Sequence, residues 1–308
     1  MEFLYWLESI RNPVLDVILR AVTELGGAVL FIVFGMLMFW CVDKRQGYFL
    51  LSVGLAGTFL NQFLKIACRV PRPWVRDPQF TIVESAREGA AGYSFPSGHS
   101  QTAVGVYGGL ALCRRERWVR ITGILLAVLI PLSRMYLGVH TPADVLVGGL
   151  CALVLIFALW PLFSRVGTAP RLMVPVLGGT VALGLLLLGY VSLYEFPSDL
   201  DMDSYNEAVK NAWSLLGVTL GLIAAWLFDE YKLHFSTRAP LWGQAIKLGL
   251  GLALLVTVLE GTKPLWNLLL GDAAWAPFPR YLVATLFAGI AWPATFRFFD
   301  RYTETESR

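Results

Sequence analysis

Charge is scarce in this chain. Only 15% of its 308 residues are Asp, Glu, Lys or Arg, against about a quarter in ordinary soluble domains, while 56% are hydrophobic and the mean hydropathy is +0.60. That balance excludes an ordinary soluble globular protein and implies an integral membrane protein. The formal net charge of +3 is too small to argue for nucleic acid as a partner. Cysteine is sparse too: Cys41, Cys68, Cys113 and Cys151 lie in or beside apolar segments with no CxxC spacing, so neither a disulfide framework nor a zinc site is indicated. No basic region followed by a short apolar core opens the sequence, so no cleavable signal peptide is expected, and insertion would use the transmembrane helices themselves. There is no repeat of solenoid period and no low-complexity linker.

What the chain has in quantity is apolar runs able to cross, or nearly cross, a hydrocarbon layer of about 30 Å. They fall near 27–42, 48–68, 100–113, 121–137, 143–163, 172–193, 212–228, 244–259 and 281–298. An all-α polytopic membrane protein with nine helices is expected. The run at 100–113 is short, so it must start below the membrane surface or be extended by its flanks. Residues 1–26 are amphipathic but carry Glu8, Arg11, Asp16, Arg20 and Glu24, too many charges for a span; they are expected as interfacial helices broken at Asn12-Pro13. The expected organisation is this interfacial segment, a catalytic helical core over 27–163, and a C-terminal transmembrane extension over 172–308 with four further helices and no polar cluster to define its role.

Loop charges orient the bundle. Lys44 and Arg45, then Arg114, Arg115, Arg117 and Arg120, then Arg165 and Arg171, then Lys232 and Arg238 fall in alternate loops on one side with the C-terminal tail. That side is expected to be cytoplasmic. The other side holds an acidic loop with Glu195, Asp199, Asp201, Asp203 and Glu207, and it holds three polar blocks rich in cations. Lys65, Arg69, Arg72, Arg76 and Arg134 violate the positive-inside bias there, and binding an anion on the external face is a local reason for doing so.

The first block runs from Lys65 to Pro73, the second from Tyr93 to Ser100, and the third from Ser133 to Asp144. Lys65 ends a transmembrane run, and Pro71 and Pro73 keep the chain from continuing as helix, fixing Arg72 in extended backbone. A lone lysine at a membrane edge is usually a snorkelling anchor, but three cations recurring beside two of the chain's three histidines point to a phosphate ester. Arginine forks two phosphate oxygens and lysine acts as a point charge. In Pro96-Ser97-Gly98-His99, Ser97 suits a helix N-cap, Gly98 permits close backbone approach, and free amides at a helix start face an anion. Thr141-Pro142-Ala143-Asp144 has the form of a helix start with Asp144 as capping acid. Asp144 is then either that capping acid alone or, on the functional reading, also the carboxylate that the same turn brings to His140 to fix the ring tautomer, and both can hold at once. Arg134, six residues before His140, can return to the same pocket.

The pattern Lys65, six residues, Arg72-Pro73; then Pro96-Ser97-Gly98-His99; then Ser133-Arg134, five residues, His140, three residues, Asp144 closely resembles the type 2 phosphatidic acid phosphatase (PAP2) superfamily of membrane lipid phosphatases. The resemblance covers 27–163. It implies a two-step reaction with no metal and no cofactor: His140 attacks phosphorus to form a phosphohistidine, Asp144 orients the imidazole, and His99 protonates the leaving group and then deprotonates water. Lys65, Arg72 and Arg134, with Ser97 and the amides of Gly98 and His99, would hold the equatorial oxygens. The superfamily also contains soluble vanadate-dependent haloperoxidases, a branch that the membrane helices argue against.

The expected function is hydrolysis of a lipid phosphate or diphosphate at the outer face of a bacterial inner membrane, with the lipid substrate and the bilayer as partners. The alternatives are a phosphotransferase delivering the group to another lipid or sugar, and a non-catalytic transporter or sensor of lipid headgroups. Elsewhere, His234 is expected to be solvated, Arg69 to contact solvent or headgroups unless it reaches the pocket, and Glu260 with Lys263 to form a local pair. The eleven tryptophans suit interfacial belts. The acidic 195–207 loop is expected to be solvated, with gating or repulsion of anionic headgroups as its functional alternative.

Overall fold

The computed structural model describes residues 1–166, 169–198 and 200–299. Asp199 of the acidic loop and the C-terminal tail from residue 300 lie outside the described residues. Every regular element among those described is helical. Two short N-terminal helices, α1 (Glu2–Ser9) and α2 (Pro13–Glu24), break at Asn12, whose side chain accepts the Leu15 amide while Pro13 occupies the first turn. Next comes α3 (Ala28–Leu37), which runs on through a π-helical turn, Met38–Val42, and then α4 (Lys44–Cys68) and the single turn α5 (Pro73–Arg76). A sixteen-residue rod follows, made of α6 (Gly98–Ala103), a π-turn at Val104–Gly108, and α7 (Gly109–Cys113). The remaining helices are α8 (Arg117–Tyr136), α9 (Pro142–Phe163), α10 (Met173–Leu193), α11 (Met202–Phe228), α12 (Leu241–Gly261), α13 (Lys263–Leu270) and α14 (Pro277–Leu286).

Each of the nine apolar runs becomes a helix. The short run near 100–113 is extended at its flank, starting at Gly98, and α13 is an additional eight-residue helix that the apolar pattern did not mark. Seven helical segments are long and apolar enough to cross a membrane, and α2 with α3 makes an eighth if a pair bent by 48° counts as one span. Outward-facing apolar stripes match a lipid surround: Leu146, Leu150, Val154 and Phe157 recur at helical spacing along α9 and all are exposed. The protein is an integral multi-pass membrane protein.

Contacts divide the chain into two units. The first comprises 1–32, 50–162 and 195–208; the second comprises 33–49, 163–194 and 209–308. The boundaries differ from the sequence-based division in one respect that matters below: the acidic segment 195–208 packs with the first unit. Within that unit α8 packs against α2, α6 and α7. Arg11 ties the N-terminus in, donating from Nε to the Tyr136 carbonyl (2.9 Å) and from Nη1 to the Thr81 carbonyl (2.8 Å). Gly148 of α9 lies against the backbone of Ser97, where an added Cβ would collide with the Ser97 carbonyl oxygen. Small residues at such crossings let helix backbones approach closely in the absence of a hydrophobic drive between helices.

The second unit buries its polar groups in pairs. Trp40 Nε1 donates to the Ala288 carbonyl (2.9 Å) and Trp292 Nε1 to the Lys247 carbonyl (3.0 Å). The fully buried Lys247 ammonium donates to the Ser236 and Arg238 carbonyls and lies 4.4 Å from the centre of the Phe296 ring. Lys44 pairs with the buried Asp229 at 2.7 Å. A buried charge left alone is costly, and each of these is satisfied.

Candidate active site

Three chain reversals in the first unit bring the polar blocks together. Lys65 stands in the last turn of α4, where its Nζ donates to the Tyr93 carbonyl at 2.5 Å. Pro71 and Pro73 hold Arg72 extended at φ −65°, ψ 156°, and its side chain is buried. The guanidinium ties the first block to the third and to the two residues that precede the second. Nε donates to the Gly92 carbonyl (3.0 Å), Nη2 to the Ala91 carbonyl (2.8 Å), and Nη1 to the Val139 carbonyl (3.0 Å). Nη1 also lies 3.0 Å from His140 Nε2.

That last contact assigns the imidazole tautomer. A guanidinium has only donors, so His140 Nε2 must accept, and the ring proton sits on Nδ1. Nδ1 faces Asp144 Oδ2 at 3.5 Å and Ser94 Oγ at 3.4 Å, while the Ser94 hydroxyl donates to Asp144 Oδ2 at 2.6 Å. The ring therefore reaches the carboxylate directly and through a serine bridge. Asp144 Oδ2 also accepts the Thr141 amide (2.7 Å), and Thr141 Oγ1 accepts the Asp144 amide (3.3 Å). Asp144 closes a reciprocal capping box at the start of α9 with its carboxylate beside His140 Nδ1. His140 and Asp144 are almost completely buried. Burial, reinforced by the positive charges of Arg72, Arg134 and Lys65, holds the His140 imidazole well below its ordinary pKa and so neutral.

In the second block, Ser97 is the N-cap of α6. Its Oγ accepts the Ser100 amide (3.3 Å) and the Ser100 hydroxyl (2.9 Å), and its own amide donates to the Asp144 carbonyl (2.9 Å). With the Ser97 carbonyl taking the Gln101 amide, the first-turn amides of Gly98 and His99 are left over for an anion. Asn61 of α4 steadies this turn by donating from Nδ2 to the Pro96 carbonyl (3.3 Å).

These groups surround a cleft of about 400 Å³ whose wall includes Lys65, Arg72, Gly98, His99 and His140. Ser97, Arg134 and Asp144 are buried behind that wall. Arg134 donates from Nη1 to Thr23 Oγ1 (3.2 Å) and from Nη2 to the Gly89 carbonyl (3.3 Å), and its Nε is buried without a hydrogen-bond partner. Arg69 does not line the cleft; its guanidinium lies 5.9 Å from the Phe196 ring centre. His234 is exposed, and Glu260 and Lys263 form an exposed pair at 4.0 Å. The cleft wall also includes Asn61, Glu88 and Glu207. Sequence reasoning did not single out Asn61, Glu88 or Ser94, and it placed Glu207 in a solvated loop. Ser94 lay inside the second block; the signal for it was its place three residues before Ser97 in a polar stretch flanked by apolar runs.

The description "PAP2 superfamily" matches residues 45–167, and "PAP2 superfamily phosphatase, transmembrane extension" matches residues 213–304. Phosphatidylglycerophosphatase B of Bacillus subtilis (strain 168) is 32% identical over 161 residues, spanning 48% of this chain and 75% of that protein. The chain belongs to the PAP2 superfamily. Undecaprenyl-diphosphatase BcrC of the same organism is similar at 29% identity over 158 residues, 51% of this chain and 78% of its own. Sphingosine-1-phosphate phosphatase 1 of Mus musculus is 26% identical over 257 residues, 78% of this chain but only 58% of its own length. All three polar blocks of this PAP2-type phosphatase lie inside the matched stretch 45–167, whereas Glu207 falls between the two matched stretches.

Proposed function

We propose that this PAP2 protein hydrolyses a phosphate ester or diphosphate carried by a lipid, at the external face of the cell membrane, through a phosphohistidine formed on His140 Nε2. The observation that carries the reading is the buried neutral His140 in the cleft wall, its Nε2 accepting from Arg72, a cation that a phosphate can draw away, and its Nδ1 proton facing Ser94 and Asp144. The relatives named above act on a phosphatidylglycerophosphate, an undecaprenyl diphosphate and a sphingosine 1-phosphate, which share a phosphate terminus on a membrane lipid. The loop charges elsewhere in the chain support the external orientation, to which the cations of the site are the exception that an anionic substrate accounts for.

In the first step the Nε2 lone pair forms the N–P bond as the P–O bond to the lipid breaks. Burial and the charges of Arg134, Arg72 and Lys65 lower the His99 pKa to about 3; His99 takes up a proton as the phosphate anion offsets those charges, and gives it to the departing oxygen. Lys65, Arg72 and the amides of Gly98 and His99 hold the equatorial oxygens, with the charge of Arg134 behind them. In the second step His99 takes a proton from water as the water oxygen attacks phosphorus. The N–P bond breaks, inorganic phosphate leaves, and His140 is restored with Nδ1 still protonated. Asp144 and Ser94 keep the ring from turning its protonated nitrogen toward phosphorus.

The test is phosphate release by detergent-purified protein from a panel of lipid phosphates and diphosphates, with EDTA present, beside His140→Ala. Release that survives the chelator and is lost in the variant supports the reading, as does an acid-labile phosphorylated protein trapped from ³²P-labelled substrate. Transfer of label to a second lipid without free phosphate would replace hydrolysis by phosphotransfer. Turnover by His140→Ala at the wild-type rate would overturn the mechanism.

A further inference from the structure

An acidic side chain in a phosphate site works against the substrate unless the substrate brings something for it to hold. Glu207 is such a residue. It lies near the start of α11, which opens at Met202, and it lines both the main cleft and an adjoining side cavity of about 40 Å³ bounded also by Gln62, Lys65, Tyr93 and Ser204. Its charge is felt at Lys65 and Arg72, yet it forms no ion pair among the described residues.

The placement is built into the fold of the first unit. Gly92 has φ +63°, a conformation suited to glycine, and a Cβ there would lie 3.0 Å from Ser204 Oγ. The Asp201 amide points at the Tyr93 hydroxyl at 3.4 Å. The first turns of α11 are thus seated on the loop whose carbonyls hold Lys65 and Arg72.

Donor and acceptor accounting says what the side cavity recognises. The Lys65 ammonium uses one of its three donors on the Tyr93 carbonyl, and the Ser204 hydroxyl gives its proton to Asp201 Oδ2 at 2.5 Å, so Lys65 still offers two protons to a phosphate oxygen while the exposed Glu207 offers none. What remains facing the cavity from Ser204 and Glu207 is acceptor capacity. A volume of this size holds one small substituent, and the carboxylate favours a positive one.

We propose that Glu207 is a specificity-determining residue that selects lipid phosphates carrying a protonated amine within a few bonds of the phosphate. The proposal rests on the lipid-phosphatase reading. A substrate of that kind places its phosphate among Lys65, Arg72 and the α6 amides and its ammonium against Glu207. A lipid without the ammonium gains no charge pairing there and meets the repulsion between its phosphate and the carboxylate.

The experiment compares sphingosine 1-phosphate with its N-acetyl derivative, which keeps the chain and the phosphate but not the ammonium, on wild type, Glu207→Gln and Glu207→Asp. Wild type is expected to prefer the free amine by about 3–10-fold in kcat/KM, within the range for a partly solvated charged contact. The preference should be carried by KM, fall to about onefold in Glu207→Gln and be partly retained in Glu207→Asp. An unchanged ratio in Glu207→Gln, or no preference in wild type, overturns the proposal. If neither lipid releases phosphate, the phosphatase reading falls separately. Binding of the same two lipids to the same three proteins, followed by tryptophan fluorescence, then decides the role of Glu207 by the same ratio.

Discussion

Removing the Ser94 hydroxyl is the sharpest probe of how the nucleophile is held. Asp144 Oδ2 receives the Ser94 hydroxyl at 2.6 Å and the Thr141 amide at 2.7 Å, while the His140 ring stands 3.5 Å away. In Ser94→Ala the ring loses its 3.4 Å contact to Ser94 Oγ and keeps the direct one at 3.5 Å, both longer than the ordinary range, and Asp144 loses the short 2.6 Å bond that fixes its carboxylate beside the ring. A hydrogen bond to a charged group contributes about 1.5–3 kcal/mol, and 1.36 kcal/mol is tenfold in rate, so kcat should fall about 10- to 150-fold. KM should change little, because Ser94 is buried and does not line the cleft. The assay is initial-rate phosphate release, with Ser94→Thr restoring part of the rate and melting temperature monitored to separate unfolding from misorientation. Since Ser94 and Asp144 act on the same ring, Ser94→Ala and Asp144→Asn together should cost about as much as Asp144→Asn alone. A Ser94→Ala enzyme within twofold of wild type, or losses that multiply in the double variant, would refute the bridge.

Three further outcomes are expected. Because burial and the neighbouring cations depress the His140 pKa in the folded protein, the unfolded chain binds more protons below about pH 6.5; His140 therefore contributes stability above that pH and loses it as pH falls. In ¹⁵N-histidine-labelled protein the resonance assigned by its loss in His140→Ala should stay neutral from pH 7 to 5.5, and titration near 6.5 would contradict the burial argument. Gly148→Ala, which drives a methyl into the Ser97 carbonyl, should destabilise by about 1–3 kcal/mol and lower kcat by displacing the α6 turn, whereas Gly249→Ala, with open space around it, should leave the melting temperature unchanged or raised. In the second unit, Lys44→Met leaves Asp229 with the Phe235 amide (3.0 Å) and without its cation, so it should destabilise by about 1–3 kcal/mol, with Lys44→Met/Asp229→Asn recovering part. A thermal shift under one degree in Lys44→Met would remove that pair from the account.

What the sequence made legible is what lipid makes expensive. The helices could be read because a hydrocarbon layer tolerates few charges, so apolar runs mark spans. Lys65, Arg72, His99 and His140 could be read because cations and imidazoles stand out against that background. Ser94 could not: a serine in a stretch already polar carries no cost to notice, and its partner Asp144 is 50 residues away, joined only when α9 folds back onto the α6 turn. Ser97 shows the limit from the other side, since capping a helix and contacting a phosphate ask for the same residue type, and the hydroxyl is engaged at the cap. Glu207 is exposed, as an acid in a connecting segment reads, but it stands in the second turn of α11, which begins at Met202, and lines the cleft from there. The positive-inside rule had already marked the external cations as an exception that required an anion. The role proposed for Glu207 is the counterpart: an acid lining the same cleft gives an ammonium on the substrate a place to go.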